Sequence, residues 1–141
     1  MGAVMTQVKL WNRMDVDDAR RGLIPVEAVR EISLEAMVDT GAVTLVIPEE
    51  AARALGLSVV LIGMTTLADG TKRPIPKMGP LRIEILGRQM SCDAYVTPAG
   101  TTPLIGQIPL EELDLIVDPG TREIRVRSEA GPEAKLFLVA A

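Results

Sequence analysis

The 141-residue sequence predicts an all-β fold with one or two short helices, and three observations carry that expectation. Trp11, Tyr95 and Phe137 are its only aromatic residues, while Val, Ile, Leu, Gly and Pro are plentiful, and small branched side chains suit a core of short strands. Apolar and polar residues alternate with a period of two in segments such as Leu81-Arg82-Ile83-Glu84-Ile85, the pattern of a half-buried strand. Turn formers recur between the segments, at Asp69-Gly70, Gly87 and Asp118-Pro119-Gly120. The length suits one domain, 1–141, large enough to build a core without disulfide or metal staples.

In chain order, Val8-Lys9-Leu10 begins the first expected strand, and the charged residues 15–22, ending at Gly22, read as a surface loop. Between Val26 and Val38 the residues Ile32, Leu34 and Ala36 fall on one side and Glu31, Ser33 and Glu35 on the other, a strand with one wet face. It runs into Asp39-Thr40-Gly41-Ala42. Residues 43–47 form a short apolar strand, and Pro48 through Gly56 a short helix, with Pro at its opening, Glu49 and Glu50 in the first turn and Gly at its close. Val59-Val60-Leu61-Ile62 and Arg73-Pro74-Ile75 flank Ala68-Asp69-Gly70-Thr71, whose Asp-Gly pair is a hairpin signal; Pro74, Pro76 and Pro80 confine it to an edge or a bulge, because proline gives up a ladder donor. Residues 81–87 and 90–96 pair as a second hairpin. Residues 108–113 make a helix of one to two turns, and residues 115–117 and 123–127 a third hairpin. The apolar residues 136–140 are expected to join a strand of their own domain or of a partner.

Composition removes several function classes. The net charge is −4 and the 15 Lys and Arg residues are scattered, so no basic stripe tracks a phosphate backbone and nucleic acid is not expected as a partner. The sequence has no His, which removes Ser-His and Cys-His nucleophiles and nearly every ordinary catalytic zinc site. Cys92 is the single cysteine, so no internal disulfide or Cys cluster forms. An EF-hand fails at Ala19 and Arg20, and no carboxylate cluster has metal-ligand spacing; no metal or cofactor is expected. A glycosidase built on Asp39 and a Glu lacks nearby aromatics to stack a sugar. The first residues lack a signal-peptide pattern and no apolar run approaches 18 residues, giving the expectation of a cytoplasmic protein without a membrane partner.

One segment can carry chemistry. A carboxylate at a strand end, followed by a hydroxyl residue and glycine, lies in a tight turn where backbone N–H groups can hold it. Amide hydrolysis needs a base for water and an acid for the product, which one carboxylate cannot be at once. Two carboxylates about 3 Å apart can, because they share one proton. Only Asp39-Thr40-Gly41 has this form: Asp69-Gly70 lacks the middle residue, and Pro119 stands where a hydroxyl belongs. If such a pair exists, symmetry must supply it, with Asp39 of each of two copies meeting on a two-fold axis.

Ala36-Met37-Val38-Asp39-Thr40-Gly41-Ala42, followed by an apolar strand, a hairpin, Ile83-Glu84-Ile85-Leu86-Gly87 and Leu104-Ile105-Gly106 before a short helix, resembles the retroviral-type (retropepsin-like) aspartic proteases, particularly small cellular and bacterial members with one motif per chain. The resemblance covers roughly residues 30–118 and implies a closed six-stranded acid-protease-type barrel, with the terminal segments as strand extensions. It implies an aspartic endopeptidase, a homodimer cutting an extended peptide or protein. Asp39 would be catalytic, Thr40 would brace the two active-site loops across the dimer axis, Gly41 would leave room for substrate backbone and Ala42 would border the groove. Leu67, Ala68, Asp69 and Gly70 would form the flap, and Leu104, Ile105 and Gly106 would support the catalytic loop from beneath. The tip carries one Gly where viral members carry several, and the chain is longer at both ends. The alternative is an inactive peptide-binding or dimerisation module of the same fold.

Overall fold

The computed structural model describes residues 3–127. Its first strand, β1 (Met5–Asn12), ends at Asn12, whose side-chain Oδ1 accepts the Asp15 N–H at 3.1 Å and caps helix α1 (Arg13–Arg20). Residues 15–22, expected as a loop, are therefore mostly helical. A 3₁₀ turn (Val26–Ala28) precedes β2 (Glu31–Val38), so the expected strand begins five residues later than the alternation suggested. Next come β3 (Leu45–Pro48) and α2 (Glu49–Leu55), which closes on Gly56 in the left-handed conformation at φ 65°. The rest comprises β4 (Ser58–Thr66), β5 (Lys72–Ile85), β6 (Arg88–Thr97), β7 (Leu104–Ile105), α3 (Gln107–Glu112), β8 (Leu115–Asp118) and β9 (Glu123–Val126).

All three expected hairpins form. β4 pairs β5 around the Asp69-Gly70 tip, β5 pairs β6 across Leu86-Gly87, and β8 pairs β9 as a separate two-stranded sheet. Pro74 and Pro76 sit opposite Met64 and Ile62 of β4, before β5 meets β6 at Lys77. There β5 has one neighbour only, so a proline nitrogen facing away from β4 costs no ladder bond.

The closed six-stranded barrel expected from the sequence is not formed. The strands make one seven-stranded sheet in the order β1-β2-β7-β3-β6-β5-β4, and an added β1–β5 pairing brings six of them into a ring that is not a closed barrel. A barrel wall needs consistent stagger and continuous pairing. Here β7 joins β2 in parallel and β3 antiparallel through two residue pairs each, and β1 meets β5 over four. The seventh strand, β4, continues past the ring as the outer half of a hairpin arm. Among the described residues three short helices and a 3₁₀ turn, rather than the one or two short helices expected, accompany a mixed, mostly β sheet.

Inside the ring, Val8, Leu10, Leu45, Ile47, Leu81, Ile83, Ile85 and Ile105 are essentially excluded from water, with Leu55 of α2 and Leu113 just after α3 beside them. This aliphatic cluster supplies the main driving force for the sheet. No helix among the described residues is long and apolar enough to cross a membrane. The apolar segment 136–140, expected as a terminal strand, lies outside the described residues.

Candidate active site

Asp39 follows the last residue of β2 and opens a tight loop. Its own N–H donates to the Ile105 carbonyl at 2.9 Å, two residues after the Met37 N–H donates to the Pro103 carbonyl at 2.9 Å, so parallel pairing with β7 runs straight into the loop. The Gly41 N–H donates to Asp39 Oδ1 at 2.9 Å, and the Ala42 N–H to the Asp39 carbonyl at 3.0 Å. The carboxylate is thus oriented by its own turn, an Asx-type arrangement that leaves Oδ2 to other partners. Asp39 is half-buried, while Thr40 and Gly41 are exposed.

The loop rests on β7 and the start of α3. The Gln107 N–H donates to the Ala42 carbonyl at 2.8 Å and the Ile108 N–H to the Val43 carbonyl at 2.9 Å, which ties two of the free N–H groups at the head of α3 to the chain after Asp39. Gly106 lies against the same segment: a Cβ there would stand 2.5 Å from the Thr44 carbonyl oxygen, 2.6 Å from the Thr44 nitrogen and 2.7 Å from the Ala42 carbonyl oxygen. Only glycine allows this approach. Residues 39–42 and 104–106, far apart in sequence, are therefore one hydrogen-bonded unit.

The tip residues Leu67, Ala68, Asp69 and Gly70 are exposed at the end of the β4–β5 arm. Asp69 Oδ1 accepts from the Thr71 N–H at 2.9 Å and the Thr71 hydroxyl at 2.6 Å, and these bonds hold its carboxyl below the usual range; Gly70 turns the chain at φ 86°. Among the described residues no hydrogen bond joins this tip to the Asp39 loop. The arm meets the site lower down. A pocket of about 270 Å³ is bounded by Val43, Thr44 and Val46 after the Asp39 loop, Met64, Thr65 and Ile75 of the arm, and Tyr95 of β6. Neither that pocket nor a larger groove of about 610 Å³, between α2 and the base of the arm, includes the 39–42 loop itself, and the larger groove does not reach residues 43–46 either.

Sequence reasoning did not bring Thr65, Ile75 and Tyr95 to this pocket. For Tyr95 a signal was present: Ala94 and Val96 are buried on one face of β6, so alternation turns the lone tyrosine of the chain to the other.

A family model described as aspartyl protease matches residues 25–108, more than half of the chain, a span that holds the Asp39 loop, the arm and β7. No curated protein matches the chain.

Proposed function

This chain belongs to the aspartyl protease family, and from that membership we propose that it is an endopeptidase whose active site forms when Asp39 of two copies meets on a two-fold axis. The observation that carries the reading is the single Asp-Thr-Gly turn, with the Asp39 carboxylate held by the Gly41 N–H and the loop anchored on Ile105 and Gly106. One chain offers one such carboxylate and the chemistry needs two.

In the pair, the two carboxylates share a proton and hold a water between them. The ionised one takes a proton from water as the oxygen attacks the peptide carbonyl, while the protonated one donates to the carbonyl oxygen. The roles reverse as the amine leaves. Thr40, exposed beside Asp39, is available to brace the opposing loop. Gly41 leaves room for substrate backbone, Ala42 borders the groove, and the tip residues 67–70 close over an extended peptide bound like an added strand. Leu104, Ile105 and Gly106 keep the loop in place.

The test is cleavage of a diverse peptide library between about pH 4 and 7, the range in which a shared-proton dyad works, by the native protein and Asp39→Asn at equal oligomeric state. Cleavage should fall by roughly a thousandfold or more in the variant, as for loss of other catalytic side chains. Equal cleavage by both would contradict the assignment of Asp39, and silence of both as dimers would favour a binding module.

A further inference from the structure

We propose that this chain holds a second binding site, remote from Asp39, that takes a small carboxylic acid with a flat apolar body, the body stacked on Trp11 and the carboxylate on Arg82. The site is a pocket of about 420 Å³ between the outer face of the sheet and the connection that carries α1 and the 3₁₀ turn, within the ~300–1,000 Å³ usual for small molecules. Residues 6, 8, 10 and 12 of β1 are buried, so Trp11 faces outward and forms the floor. Val16 and Ala19 of α1 and Val26 and Val29 at the 3₁₀ turn make apolar walls. These walls are fixed in place: the Asn12 N–H donates to the Arg30 carbonyl at 3.0 Å, and three bonds from Arg30 to Asp15 tie α1 to the residue before β2. Trp11 pairs with Glu31, at the far end of β2 from Asp39 and roughly 25 Å from it along the strand. Trp11 and α1 also precede the matched span 25–108.

The charges around the floor favour an anion at one end. Glu31 of β2 and Arg82 of β5 stand on opposite sides of Trp11, about 10 Å apart across two strand spacings. Glu31 is answered by Lys9, whose ammonium lies 3.4 Å from its carboxylate and 5.3 Å from the Trp11 ring centroid, and Lys9 itself does not line the pocket. Arg82 has no carboxylate partner among the described residues. Its Nε donates to Gln89 Oε1 at 2.7 Å, and the Gln89 amide in turn donates to Glu84 Oε1 at 2.7 Å, which orients the guanidinium and leaves its terminal nitrogens to a ligand. That planar pair of donors suits a carboxylate. Arg20, whose pairing with Asp17 at 3.7 Å is loose and exposed, adds positive charge at the rim. A carboxylic acid therefore lies with its charge toward Arg82 and its body over Trp11 and the valines, away from Glu31. A cation would meet only a carboxylate that Lys9 already holds.

Trp11 is the single tryptophan of the chain, so its indole N–H gives one NMR signal that reports from inside the site. The probes are naphthylacetate and its matched neutral amide, naphthylacetamide, titrated to millimolar concentration into the native protein and Arg82→Gln. The acid should move the indole signal saturably and bind the native protein about tenfold tighter than the amide, the size expected for one charge-assisted pair. Arg82→Gln should bring the two probes to equal affinity. An indole signal that neither probe moves, or equal affinity of acid and amide for the native protein, would overturn the site. A preference for the acid that survives in Arg82→Gln would overturn the role given to Arg82. The comparison of acid with amide needs no variant, so the test holds even if Arg82→Gln does not fold, and none of its outcomes depends on proteolysis.

Discussion

Gly106 shows how strictly single residues define the site. Its missing side chain lets β7 touch the backbone of Ala42 and Thr44, and none of the three atoms a Cβ would strike belongs to a movable side chain. Gly106→Ala should therefore destabilise the protein by about 1–3 kcal/mol, the usual range for overpacking, measurable as a lower urea midpoint with loss of the Asp39 loop geometry. An equally stable variant would contradict the contact. A second residue-scale bond holds the other side of the ring. Buried Asp15 accepts from the Arg30 N–H at 3.0 Å and from its guanidinium at 2.8 and 3.0 Å, and Arg30 holds the Asp15 carboxyl below its ordinary value of 3.8. Because the folded carboxyl is the stronger acid, its stabilisation is fully present above pH 3.8 and is lost as the pH falls from there through the folded value. Half of Arg30 lies in water, so the contribution is screened to about 1 kcal/mol. The gap in urea midpoint between native protein and Asp15→Asn should be constant from neutral pH to about pH 4 and close below it; a gap that widens in acid would contradict the sign.

At the scale of elements, legibility followed how local the signal was. The hairpins were readable because Asp69-Gly70, Leu86-Gly87 and the 118–121 turn announce themselves within a few residues, and α2 because Pro48, Glu49, Glu50 and Gly56 punctuate it. Helix α1 was missed because its residues are nearly all charged or small and lack an apolar period. The cap was there to be read: Asn12 with Asp15 three residues on, the spacing that lets a side chain close the first turn. Asn12 also donates to the Leu55 carbonyl at 2.8 Å, so one residue ends β1, starts α1 and receives the end of α2. The arm is the element most exposed to water. Val59, Val60, Leu61, Ile62 and Met64 of β4 all lie more than two-fifths exposed, as expected for a strand paired along one edge and carried beyond the ring. That position leaves its side chains contributing little to the core.

At the scale of the whole molecule, the ring geometry was least legible. The β1–β5 pairing links residues some seventy positions apart, and the junction at β7 depends on two residues, so neither follows from local alternation. The site motif was legible because Asp39, Thr40 and Gly41 are contiguous, and its support because Leu104-Ile105-Gly106 precedes a helix; the pocket was not, because it draws on four strands and the loop before β3. What a single chain does not contain is the second carboxylate, and the central claim is that a second copy supplies it. The most direct measurement mixes native protein with Asp39→Asn at constant total concentration, allows subunits to exchange, and follows cleavage as a function of the native fraction. A site built from both copies predicts that activity falls as the square of that fraction, because only native pairs hold two aspartates. A fall in simple proportion would show that each chain acts alone and would contradict the shared dyad.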